Sequence, residues 1–79
     1  MAKAIFPTGA LDVTPSDTVN LAPTGWGIRC NGTAGNVSFV DWSDRTHVWP
    51  IAAGETITVG VKRINATGTT ATSLATYLI

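Results

Sequence analysis

Cys30 and His47 are the sole cysteine and the sole histidine of the chain. They are the natural starting point for nucleophilic chemistry, in which an imidazole base takes the proton of a thiol. Nothing in their spacing brings them together. Cys30 alternates with Trp26 and Ile28 along an apolar run, where a small buried hydrophobe is expected rather than a reactive thiolate. Acid–base catalysis asks for two carboxylates in contrasting environments, and the acids are few and scattered. Asp41 and Asp44 flank Ser43, but a calcium cage needs more oxygens than two acids and a hydroxyl supply. Turn formation accounts for them, because Asp and Ser side chains bond nearby backbone N–H groups. Gly32 and Gly35 precede no helix, so a phosphate-binding loop is not expected there and turn geometry explains both. The chain is therefore expected to carry no catalytic residue, cofactor or metal. Asn31, Asn36 and Asn65 each begin a formal glycosylation sequon, which in so Thr-rich a chain is a chance pattern.

Trp26, Trp42 and Trp49 carry more information. Three tryptophans in 79 residues are a heavy load of large apolar area, and Trp is seldom wholly buried in a small domain. Either they form the core, or at least one stands at a subunit or partner contact, where Trp is enriched. Along 36–42, Val37 and Phe39 face one way while Val40 and Trp42 face the other. A strand apolar on both faces is covered on both sides or lies at an interface.

The elements that must position these residues are strands. Four prolines and eight glycines cut the chain into pieces too short for ordinary helices. In 57–62, Ile57, Val59 and Val61 share one face, the clearest strand pattern in the chain. Weaker strands are expected at 26–30, 36–42, 45–49 and 73–78, with a short one at 18–21. Asn31-Gly32-Thr33-Ala34-Gly35 suits a tight hairpin between the 26–30 and 36–42 strands, and Ser43-Asp44 suits a turn between the 36–42 and 45–49 strands. Residues 65–72 read as a solvated polar connection. The expectation is an all-β small antiparallel sandwich or barrel of six to eight short strands over 13–79, preceded by an irregular N-terminal arm over 1–12. That arm is either a frayed end or a segment that packs on a neighbouring subunit.

Composition narrows the partners. Five basic residues balance five acidic ones, and charged residues make up 13%. Phosphate neutralisation needs a basic excess, so nucleic acid is not an expected partner. No apolar run is long enough for a membrane span or an export signal, so no membrane is expected either and synthesis in the cytoplasm is. With 44% hydrophobic residues the chain should fold. At this length, however, burial and ordering entropy nearly cancel, and a small domain needs a disulfide, a metal or a partner subunit. One cysteine closes no intrachain bridge, and Cys30 with His47 supplies too few zinc ligands. Self-association or docking on a larger body remains, and a neutral surface suits it.

Three blocks give this expectation a context. Ala10 with Val13-Thr14-Pro15-Ser16-Asp17-Thr18, then Gly32-Thr33-Ala34-Gly35-Asn36-Val37, then Val61-Lys62-Arg63-Ile64-Asn65-Ala66-Thr67-Gly68-Thr69-Thr70-Ala71-Thr72 resemble, in that order, the spike base proteins of tailed phages and gene transfer agents. The last block is the most specific. The resemblance implies a non-enzymatic all-β virion component, made in a host bacterium. It would form a homo-oligomeric ring at a head vertex, such as a pentamer, between capsid protein and a spike or fibre. The family pattern assigns no individual functional residue, and the tryptophan-rich stretch from Trp42 to Trp49 departs from it. A capsid decoration or cement protein and a carbohydrate- or receptor-binding module with a Trp platform are the alternatives.

Overall fold

The structure is a computed structural model that describes residues 9–21 and 25–78. Six strands build it: β1 (Gly9–Asp12), β2 (Gly25–Cys30), β3 (Gly35–Asp41), β4 (Thr46–Ile51), β5 (Thr56–Ile64) and β6 (Leu74–Leu78). They form one sheet in the order β1-β6-β2-β5-β3-β4, with every neighbouring pair antiparallel. The all-β class expected from the punctuated sequence holds. The strand at 57–62 lies within β5, the longest strand, which sits between β2 and β3.

The core gathers Ile28 and Cys30 of β2, Val37 and Phe39 of β3, Ile51 of β4, Val61 and Ile64 of β5, and Leu74 of β6, with Ala71 from the connection before β6. Removing each large side chain from water contributes about 1.5–3 kcal/mol. Cys30 is fully buried with its thiol directed at the Thr33 carbonyl, the small-hydrophobe role expected of it. On β3, Ser38 and Val40 are buried as well as Val37 and Phe39, so this strand is covered on both faces. Gly27 breaks the register of β2 against both neighbours, and its φ of 87° is a left-handed conformation that glycine adopts without strain.

Several expectations need correction. No hairpin joins β2 to β3, because β5 lies between them. Gly32 and Gly35 are not turn glycines. A Cβ on Gly32 would lie 2.3 Å from Thr72 Oγ1, and one on Gly35 would lie 2.6 Å from Thr70 Oγ1, so both let the 70–73 segment approach closely. Residues 18–21 form no strand. They meet the sheet through a backbone bond from Leu21 N to Lys62 O at 2.8 Å, a bond from Arg63 Nη1 to Asn20 Oδ1 at 3.4 Å and the packing of Leu21 against the core. β3 ends at Asp41, which leaves Trp42 in the following turn instead of on a strand face with Val40. Of the expected arm, 1–8 lie outside the described residues, and Gly9–Asp12 is not irregular but pairs with β6 as β1.

Residues 65–72 are more than a solvated connection. Where β3 lacks β5 as a neighbour, threonine hydroxyls complete its hydrogen bonding. Ser38 N donates to Thr69 Oγ1 at 3.0 Å and Asn36 N to Thr70 Oγ1 at 2.9 Å, while Thr33 N, just before β3, donates to Thr72 Oγ1 at 2.7 Å. In return, Thr70 N and Ala71 N donate to Asn36 O, and Asn65 N donates to Ser38 O. Asp17 accepts from both Thr67 N and Thr67 Oγ1. The three sequence blocks therefore meet in space, and the thirteen threonines of the chain have in part a structural use: hydroxyls that stand in for a missing strand.

Candidate functional site

β4 is an edge of the sheet, and the most exposed apolar side chains of the strands collect on it. The direction of its backbone follows from β3. Asn36 and Ser38 spend their N–H and C=O groups on 65–71, away from β4. Gly35, Val37 and Phe39 therefore turn theirs toward β4, where their partners are Ile51, Trp49 and His47. By alternation, Thr46, Val48 and Pro50 direct their backbone groups outward. Pro50 has no N–H to present, which fits its place on the open side of an edge strand.

The side chains alternate as well. His47, Trp49 and Ile51 lie on the face of Val37 and Phe39, whereas Val48 lies on the face of Ser38. Phe39, His47 and Trp49 form an aromatic group with ring centroids 5.1–5.3 Å apart, and Trp49 meets Phe39 edge-on at 84°. Only Phe39 of the three is fully buried. Trp49 is 40% exposed, Val48 56% and Trp42 52%. Together they put apolar surface on both sides of an edge that carries no charged residue between Thr46 and Ile51.

The turn leading into β4 is fixed by Asp41. Its Oδ1 accepts from Ser43 Oγ at 2.6 Å, Ser43 N at 2.8 Å and Arg45 N at 3.0 Å, and its Oδ2 pairs with His47 Nε2 at 2.8 Å. The Ser43 hydroxyl foremost, with the Arg45 amide and the His47 imidazole, holds the Asp41 carboxyl well below the usual carboxylate range. Asp44 closes the turn with a φ of 66°, and its carboxylate pairs with Lys62 of β5. The expected Ser43-Asp44 turn is therefore present, with Asp41 as its hub. Trp42 packs from this turn onto Gly60 of β5.

Of the three tryptophans, none belongs to the buried core. Trp26 is half-buried on β2, opposite Gly60 and Tyr77, on the far side of β5 from β3 and β4. Trp42 and Trp49 are exposed around the β3–β4 hairpin. Cys30 and His47 stand on strands separated by two others, so no thiol–imidazole pair exists. Among the described residues, no three His, Cys, Asp or Glu side chains converge as a metal ion would need. The sequence reading missed Val48 and the Phe39–His47–Trp49 group. The available signal was the run from Thr46 to Ile51, which is apolar or aromatic at both parities, as 36–42 is.

No family model matches the chain, and no curated protein matches it. Among solved structures, it is similar to a chain of the structure described as "Capsid of native GTA particle computed with C5 symmetry", with 31% sequence identity and a TM-score of 0.79 over 90% of this chain and 82% of that one. At 31% identity over most of both chains, the chain belongs to the family of this gene transfer agent capsid component.

Proposed function

We propose that the protein is a non-enzymatic structural component of a virion, forming a symmetric ring, a pentamer, at a head vertex as the base on which a spike or fibre is carried. The observation that supports this most directly is its similarity to a component of a capsid particle solved with C5 symmetry. A ring of five subunits matches a fivefold vertex without a symmetry mismatch. The apolar edge around Val48 and Trp49 supports the same reading, because a small domain of zero net charge with such an edge gains its robustness from a partner. Trp42 and Trp49, the two exposed tryptophans, are the contact residues in this proposal, and the half-buried Trp26 is not among them. The partners are further copies of the chain, capsid protein, and the spike or fibre protein.

A capsid decoration role is the second reading, favoured by the same neighbour because it is described as part of a capsid. Copy number separates the two. Quantitative mass spectrometry of purified particles is expected to count a few copies per vertex, whereas hundreds per particle would establish decoration. Native mass spectrometry of the purified chain is expected to give one closed pentameric mass. A stable monomer that is also absent from particles would overturn both readings.

A further inference from the structure

The sheet has two edges, and their geometry is complementary. Strands alternate in direction across the order β1-β6-β2-β5-β3-β4, so β1 and β4 run opposite ways. A second copy placed beside the first in the same orientation would bring its β1 against β4 as an antiparallel neighbour. On β1, Val13 N donates inward to Leu74 O, just past the strand, so Ala10 and Asp12 direct their backbone groups outward. On β4 the outward residues are Thr46 and Val48. The spacing is the same, two residues in each case. Among the described residues, no strand lies outside either edge.

We infer that the ring closes by strand pairing between copies: β4 of one subunit against β1 of the next, with Ala10 opposite Val48 and Asp12 opposite Thr46. This deepens the proposed ring and rests on it. The register makes about four backbone hydrogen bonds through the two outward pairs and stops at Pro50, which offers no further N–H. It sets Ala10 against Val48 on one face. On the other it sets Leu11 against His47, with Trp49 alongside. Leu11 is cross-strand from Thr76, and Thr76 from Ile28, so Leu11 shares the core face as His47 does. A head-to-tail contact of this kind uses two different surfaces and generates rings when the rotation closes.

The full chain tests this. Val48→Pro removes an outward N–H that the monomer does not use, and edge strands tolerate proline on that side. It is expected to leave the circular dichroism unchanged while weakening assembly on the order of 100-fold, the scale of losing a few neutral hydrogen bonds and the fit of the strand. The double variant Ala10→Cys with Val48→Cys should, on oxidation, give a ladder of covalent multimers ending at the ring size, since cross-strand pairs have Cα separations a disulfide can span. A folded Val48→Pro protein that assembles like the unchanged chain overturns the strand pairing and leaves the ring standing. Should Val48→Pro fail to fold, the cysteine pair decides: an assembled oligomer without 10–48 cross-links overturns the pairing. Val48→Cys alone giving dimers as the sole product would show β4 against β4 and overturn it too. An unchanged chain that assembles neither alone nor in particles overturns the ring itself.

Discussion

The indole of Trp42 occupies the space above Gly60 that any other side chain would fill: a Cβ there would lie 2.3 Å from Cδ2 and 2.6 Å from Cε2 of the ring. Trp42 thus covers bare backbone of β5 with one part of its ring while remaining 52% exposed. Together with the Asp44–Lys62 pair, this ties the β3–β4 hairpin to the middle of the sheet and fixes how Trp49 and Val48 are presented.

Gly60→Ala is accordingly expected to displace Trp42 and to destabilise the fold by about 1–3 kcal/mol, the usual cost of overpacking. Placed in a Trp42→Ala background, the same change should cost much less. Urea denaturation of the four members of this cycle measures the coupling, and additive effects would contradict the contact.

Thr69 has a structural role that an isosteric change isolates. Its hydroxyl accepts from Ser38 N and donates to Asn65 O at 2.6 Å. Thr69→Val keeps the shape, leaves the Ser38 amide and the Asn65 carbonyl without that partner, and should cost about 1–3 kcal/mol. For a chain of this length that lowers the melting temperature by roughly 4–8 °C per kcal/mol. Thermal unfolding followed by circular dichroism reads the shift.

Acid should loosen the molecule through Asp41 and Asp17. Both carboxyls are held below their ordinary values, Asp41 by Ser43, Arg45 and His47, and Asp17 chiefly by the backbone N–H and hydroxyl of Thr67. A carboxyl whose pKa is depressed by folding stabilises the native state above its unfolded pKa of about 3.9, and that stabilisation is lost as pH falls through the folded value. Stability is therefore expected to be flat in these two groups above about pH 5 and to fall steadily below pH 4. Asp41→Asn should give a lower plateau with a shallower acid limb. Denaturation midpoints collected from pH 7 to pH 2 measure both.

Trp49→Ala is expected to separate assembly from folding. The ring is partly exposed and meets Phe39 edge-on, an aromatic contact of about 0.5–1.5 kcal/mol beyond its area. Monomer stability should fall by only about 1–2 kcal/mol, while the oligomer dissociates at least tenfold more readily, as for a buried aromatic anchor. Sedimentation velocity across a dilution series reads the second effect.

Local alternation made much of the sheet legible in advance, and long-range pairing accounts for what it hid. Ile57, Val59 and Val61 announced β5 because one face of that stretch is consistently apolar. Val19 and Leu21 alternate in the same way, yet Val19 is 66% exposed, since that stretch passes beside β5 without joining the ladder. Asn31-Gly32 is a strong hairpin signal by composition, but the sheet order places β5 between β2 and β3, and the threonine hydroxyls of 69–72 complete the edge of β3. No neighbour-to-neighbour rule carries that information. Trp42 and Trp49 could be identified as informative but not oriented, because 36–42 and 46–51 are apolar at both parities. Burial of both faces of β3 absorbed the first run, and the open edge of β4 left the second exposed.

The proposed assembly is a fivefold ring at a head vertex. A cryo-EM map of the intact particle, reconstructed without imposed symmetry around the vertices, tests it most directly. Five copies of this domain are expected to encircle a vertex beneath a spike or fibre, with β4 of each facing the next. Copies spread across the capsid faces, or a particle without the chain, would contradict it.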